Sequence, residues 1–134
     1  MDVDTSAQYE ACTRGIRVRA QSEFVPERSR PDRGLWLFGY RIQILNEGVE
    51  TVQLLGRHWV ILDAAGRREE VRGSGVVGEQ PVLEPGAEFT YTSQCPLPTP
   101  CGSMQGTYLM VTANGERFEA EIPHFELIQA NAIN

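Results

Sequence analysis

The chain contains no lysine: all twelve of its basic residues are arginine. That absence removes whole classes of chemistry. There is no amine for a Schiff base, no lysine nucleophile, and no lysine to complete a phosphate-binding P-loop. Long apolar runs are missing as well. The longest stretch of large apolar side chains is Leu35-Trp36-Leu37-Phe38, whereas a membrane-spanning helix takes about 20 residues, so no membrane insertion is expected. The first residues, MDVDTSAQYEACT, carry early acids and no apolar stretch, which predicts no secretory leader. Cysteine is sparse and odd in number, at Cys12, Cys95 and Cys101. Without a leader, reduced thiols in the cytoplasm are expected. Positive charge is outweighed, leaving a net charge of −6, which argues against nucleic acid and acidic membrane surfaces as partners.

Helical periodicity is the last absence, and what stands in its place is a period of two. Ile16, Val18, Ala20 and Phe24 alternate with Arg17, Arg19, Gln21 and Glu23. Trp36, Phe38, Tyr40, Ile42 and Ile44 share one face of a longer strand that turns at Asn46-Glu47-Gly48. VQLLGRHWVIL reads as a third strand, with Gly56 marking a bulge or bend. Phe89, Tyr91, Ser93 and Cys95 alternate in a later one. SMQGTYLMV and RFEAEI are expected to pair across Ala113-Asn114-Gly115, since Asn-Gly is a strong hairpin signal. Pro123 places the last strand at an edge or gives it a bulge, and the three prolines of CPLPTPCG predict a loop. The pattern predicts an all-β sandwich of about seven to eight strands. Its core is expected to hold Trp36, Tyr40, Ile42, Leu54, Trp59, Ile61, Phe89, Tyr91, Tyr108, Phe118 and Ile122. At 134 residues the chain is one domain, residues 14–134, preceded by a polar, frayed tail, residues 1–13.

The stretch RGSGVVGEQP contains Gly73, Gly75 and Gly78 in a G-x-G-x-x-G pattern. A dinucleotide fold needs a helix after these glycines, with its first amides facing the pyrophosphate. Here Val76 and Val77 are β-branched, Pro81 follows, and Pro85-Gly86 closes the segment, so no useful helix fits. The acid expected about 20 residues on is absent; Pro98 stands there. Glu79 occupies the place of a P-loop lysine. Both nucleotide folds are rejected. What remains is an anion nest of backbone amides beside Arg72, with Arg72, Gly73, Ser74, Gly75 and Gly78 as candidate ligand-binding residues. Glu69, Glu70 and Glu79 oppose it. The preferred reading is that the glycines supply positive φ where the chain crosses between sheets.

No other constellation assembles. His58 and His124 are far apart in sequence, and Cys95 and Cys101 lack the two further ligands zinc takes. Glu69 and Glu70 face opposite sides of a strand, and Ser74 has no base placed for it. No catalytic residue, metal site or cofactor is expected, and the protein is read as a non-enzyme. Arg28, Arg30 and Arg33 crowd a proline-bearing loop.

With these segments laid out, the chain resembles the ApaG domain family. The resemblance is carried by VQLLGRHWVILDAAGR, EEVRGSGVVGEQPVLEPGAEFTYTSQCPLPTPCGSMQGTYLM and FEAEIPHFEL, over roughly residues 14–128. It implies an immunoglobulin-like, fibronectin type III-like sandwich in a small cytosolic bacterial protein. It also implies an association with cobalt and magnesium efflux, without a transporter role for this chain, and a genetic link to diadenosine polyphosphate hydrolysis. Related eukaryotic domains look like protein-interaction modules. The family's glycine motif falls at Gly73, Gly75 and Gly78; Cys101 departs from the serine more usual in that loop. The function expected is therefore a binding module for an unidentified protein partner, docking through residues 72–81, residues 95–101 and the arginine loop. The alternative is a binder of polyphosphate or diadenosine polyphosphate nucleotides through the glycine loop. A small homo-oligomer is compatible with either.

Overall fold

The computed structural model describes residues 8–129. Nine strands follow in chain order: β1 Tyr9–Thr13, β2 Ile16–Phe24, β3 Trp36–Asn46, β4 Val52–Asp63, β5 Arg68–Ser74, β6 Val82–Leu83, β7 Glu88–Leu97, β8 Cys101–Thr112 and β9 Arg117–Ile128. Two single-turn 3-10 segments, Pro26–Arg28 and Pro31–Arg33, shape the arginine loop between β2 and β3. One sheet runs β1-β2-β3-β7; the other runs β5-β4-β8-β9, with β6 on β4. Every pairing is antiparallel. The alternation in the sequence is the reason: each strand has one apolar face, and two such sheets bury those faces only against one another.

Two bulges decide which residues reach the core. β4 gains a residue between Leu54 and Gly56. Val52 and Leu54 face inward before it, and Trp59 after it, so the bulge switches the inward set from even to odd positions. On β9 an extra residue between Ile122 and Phe125 does the same beside Pro123. The expectations attached to Gly56 and Pro123 thus hold. The bulge at Pro123 also carries Phe125 and Leu127 inside, both fully buried, which the sequence reading did not place there. Phe38, Met104 and Met110 are likewise fully buried. Trp36, Ile61, Phe89 and Phe118 pack against the core but stay partly exposed.

The amino-terminal expectation needs correction. Residues 9–13 are not a frayed tail; they form β1, in register from Tyr9↔Ala20 to Thr13↔Ile16. Tyr9 packs on the core, and Thr13 Oγ1 accepts the Glu121 amide at 3.0 Å. Glu10 meets Arg17 and Arg19 across the pair. The strand is short and polar on one face, which is what an edge strand tolerates. Residues 1–7 of the expected tail lie outside the described residues. The proline-rich loop is also shorter than expected. β7 runs through Pro96 to Leu97 and β8 starts at Cys101. Pro96 fits because β7 is the last strand of its sheet, where half the amides need no partner.

One end of the sandwich is tied by a residue with positive φ. Arg14, at φ 50, and Gly15, at φ 81, turn β1 into β2. The Arg14 guanidinium reaches Glu116 at 3.1 Å and Glu50 at 3.2 Å and lies over the Phe118 ring, 4.6 Å from its centroid. Its pairing with Glu116 holds the guanidinium pKa above its ordinary value.

Candidate functional site

β5 ends at Ser74, and residues 75–81 form an arch over the edge of β4 before β6 begins. The arch is docked on the β4 bulge. The Gly75 amide donates to Leu55 O at 2.8 Å, and Pro81 O accepts from the Leu54 amide at 3.0 Å. Gln80 Nε2 donates to Leu55 O at 2.9 Å. Val76 is buried beneath the arch and anchors it to the core.

Each glycine of the motif answers to a different constraint. Gly75 has φ 64, and a Cβ there would sit 2.3 Å from Glu79 O. Gly78, at φ 81, closes a tight turn with Val77, at φ 42. In that turn Val76 and Glu79 exchange both amide hydrogen bonds, at 2.9 and 2.8 Å. Positive φ at both central positions is the type I′ geometry, which favours Asn and Gly. Gly73 has no positive φ; its constraint is an approach. The Arg57 guanidinium lies against its Cα, 2.8 Å from where a Cβ would stand, and Nη1 donates to Ser74 O at 3.0 Å and Gly75 O at 2.9 Å. The glycines therefore serve the backbone and a close arginine, but not at a crossing between sheets as expected, since β5 and β6 both pair with β4; the amides of Gly75, Val76 and Glu79 are already engaged.

Sequence reasoning missed Arg57. It belongs to no motif, and only the Gly56 bulge signals that it turns inward, on the same face as Trp59. Among the described residues no carboxylate pairs with it. Arg72, the arginine next to the glycines in sequence, points the other way. It is paired in register with His58 and lies 3.6 Å from Glu70, largely exposed. The fold thus gathers Gly73, Ser74 and Gly75 around Arg57 and leaves Arg72 on the outer face. There Glu70 also meets Arg68 and His58, with His58 Nε2 at 3.1 Å. The hydrogen bond with His58, then that with Arg68, holds the Glu70 carboxyl below its ordinary range.

Beneath the arginine lies a buried tyrosine pair. The hydroxyls of Tyr91 and Tyr108 hydrogen-bond each other, and burial pushes both phenols above their ordinary range. Burial, reinforced by Glu69, pushes the Cys95 thiol up to about 12, which leaves it without thiolate character at neutral pH. His124 sits on β9 beside Glu126 at 2.6 Å, with β8 between it and the His58 strand. Among the described residues no three His, Cys, Asp or Glu side chains gather as a cation site, and no helix is long and apolar enough to cross a membrane.

Comparison with known proteins agrees with this architecture. A profile of the ApaG domain matches residues 26–112. Protein ApaG of Methylobacterium sp. (strain 4-46) is 57% identical over 119 residues, covering 89% of this chain and 92% of the relative. Protein ApaG of Rhodospirillum centenum is 56% identical over the same shares of each chain. A Bordetella pertussis protein whose crystal structure carries the name ApaA superposes with a TM-score of 0.82 at 48% identity, over 84% of this chain and 92% of the other. An X-ray structure of a structural-genomics target superposes with a TM-score of 0.81 at 44% identity, over 86% and 87%. The chain belongs to the ApaG domain family.

Proposed function

We propose that this chain is a non-enzymatic binding module that docks a protein partner with the arch between β5 and β6. One observation carries the reading: Val77, a β-branched residue, is held at φ 42 and is 53% exposed. That conformation costs about 1–2 kcal/mol for an L-residue, and an exposed valine gains nothing from packing to offset it. Strain of this kind is kept where a surface is used. Val82, also exposed, lies at the far foot of the arch, so two apolar side chains flank a rigid turn. The free cysteines Cys12, Cys95 and Cys101 fit work in a reducing cytoplasm. A link to cobalt and magnesium homeostasis is then assigned to the partner that handles the metal.

Val77→Asn is the test. Asparagine is at ease in the first position of a type I′ turn, so the variant is expected to gain about 1 kcal/mol of stability in urea titration. It is also expected to lose a partner that the wild-type protein captures from its own cell extract. Unchanged stability together with unchanged capture would overturn the reading.

A second reading has one observation in its favour. Arg57 stands beside the glycine loop with carbonyls as its hydrogen-bond partners and no carboxylate among the described residues, a charge that a phosphate-rich nucleotide such as a diadenosine polyphosphate could meet. Thermal melts with such a nucleotide decide it. A true ligand at 100 times its Kd stabilises by about 2.7 kcal/mol. No shift is expected, because the amides a phosphate would need are engaged within the arch. A shift that Arg57→Gln abolishes would establish the nucleotide site.

A further inference from the structure

On a chain of net charge −6 with twelve arginines, most arginines should find carboxylates. Arg14, Arg17, Arg19, Arg67, Arg68 and Arg72 do. Among the described residues, Arg57 meets only carbonyls, and Arg28, Arg30, Arg33, Arg41 and Arg117 are exposed with no carboxylate within ion-pair reach. All of the exposed ones except Arg117, at the start of β9, fall in one stretch, from the β2–β3 loop into β3. Glu23, Glu27 and Asp32 are interspersed, yet this remains the local exception on an acidic protein.

Beside that stretch runs an open sheet edge. β7 is ten residues long and pairs with β3 alone. Between Glu88 and Leu97 it reads FTYTSQCP, without a charge. The other edges are defended in the usual ways. β5 sets Arg68, Glu69, Glu70 and Arg72 along its length, and β1 and β9 pack against each other. On the outer face, Gly39 leaves a depression of about 770 Å³ between β2, β3 and β7, lined by Gln21, Glu23, Arg41, Thr92 and Gln94.

We infer that β7 accepts an extended, acidic segment of a partner protein as an added strand, with Arg41 and the loop arginines pairing its carboxylates. Strand addition takes affinity from main-chain hydrogen bonds and specificity from alternate side chains. Arg41 is in register with Thr92. An added strand beyond β7 lies two strand spacings from it, about 10 Å, a gap that an arginine and a glutamate reach across from opposite sides. The arginine loop leads into Trp36, which pairs with Leu97 at the end of β7, so its charges stand at the end of the same edge. This surface is separate from the strained turn at Val77.

The probe is a fluorescein-labelled peptide of alternating Glu and Val, matched in length to β7, with a Lys-Val peptide as its control. Anisotropy reads binding and amide hydrogen exchange reads the edge. The acidic peptide is expected to bind and the basic one not to, with amides of residues 88–97 gaining protection. Arg41→Gln, an exposed change that leaves the fold intact, is expected to weaken binding about threefold, and the combined Arg28→Gln, Arg30→Gln and Arg33→Gln variant at least as much. Val77→Asn should bind the peptide as the wild type does. Absence of binding, equal binding of the basic peptide, indifference to all four arginines, or a free chain whose β7 amides are already protected in a dimer would each overturn the inference.

Discussion

Trp59→Ala is expected to lower the free energy of unfolding by about 3–5 kcal/mol, the range for deleting a buried aromatic side chain. Trp59 is 3% exposed and is the hub of the core. Its ring stands 5.5 Å from Tyr40, 6.1 Å from Phe125 and 6.3 Å from Tyr108, edge-on in each case. Tyr40 comes from the first sheet, Tyr108 and Phe125 from the second, so the indole fills the space between the layers and no single neighbour can collapse into the hole. Trp36→Ala is the control. That ring is only partly buried, and its Nε1–H donates to Gln129 Oε1 at 3.1 Å near the surface. Urea titration should therefore rank the two variants far apart. Equal losses would show that the core is not organised around Trp59.

Gly106→Val is expected to cost about 3 kcal/mol or more, at the upper end of what overpacking does, or to leave no folded protein. Gly106 is opposite Trp59 on β4 and pairs with Ile122 just before the β9 bulge. A Cβ at this position would lie 1.9 Å from His58 O and 3.1 Å from Trp59 Cα. Both obstacles are backbone, so relief requires β4 and β8 to part, which breaks the ladder that carries Trp59. Gly39→Ala supplies the comparison. Its nearest contact would be a Val25 methyl at 3.8 Å, ordinary packing, and it should be near neutral. A Gly106→Val protein as stable as Gly39→Ala would mean that the two strands do not approach as closely as described.

These two residues mark a boundary between local and long-range information. The strands, the hairpin at Asn114-Gly115 and the bulges at Gly56 and Pro123 were legible because they depend on alternation and on residues with special backbone freedom, all within a few positions. The rejection of both nucleotide folds was legible for the same reason: a missing helix and a missing lysine are local facts. Trp59 could be placed in the core, but nothing near Gly106 announces that it lies against His58 O, since the two are brought together only by β4–β8 pairing.

The candidate site divides in the same way. From the sequence alone, the glycines of residues 73–78 were assignable to a backbone role, because valines, an acid and a proline surround them. Which arginine they accompany was decided by the tertiary structure. Arg72 is adjacent in the chain, yet strand alternation sends it outward to Glu70, while the β4 bulge turns Arg57 inward and pairing with β5 lays it on Gly73. The strand at residues 9–13 was hidden similarly, because its partners Ala20 and Glu121 lie elsewhere and its own composition is polar. The fold class, then, was determined by the sequence through its period of two and its turn chemistry. Edges, bare arginines and the one guanidinium that seats the glycine loop were decided by packing, because each is a relation between strands that no single segment contains.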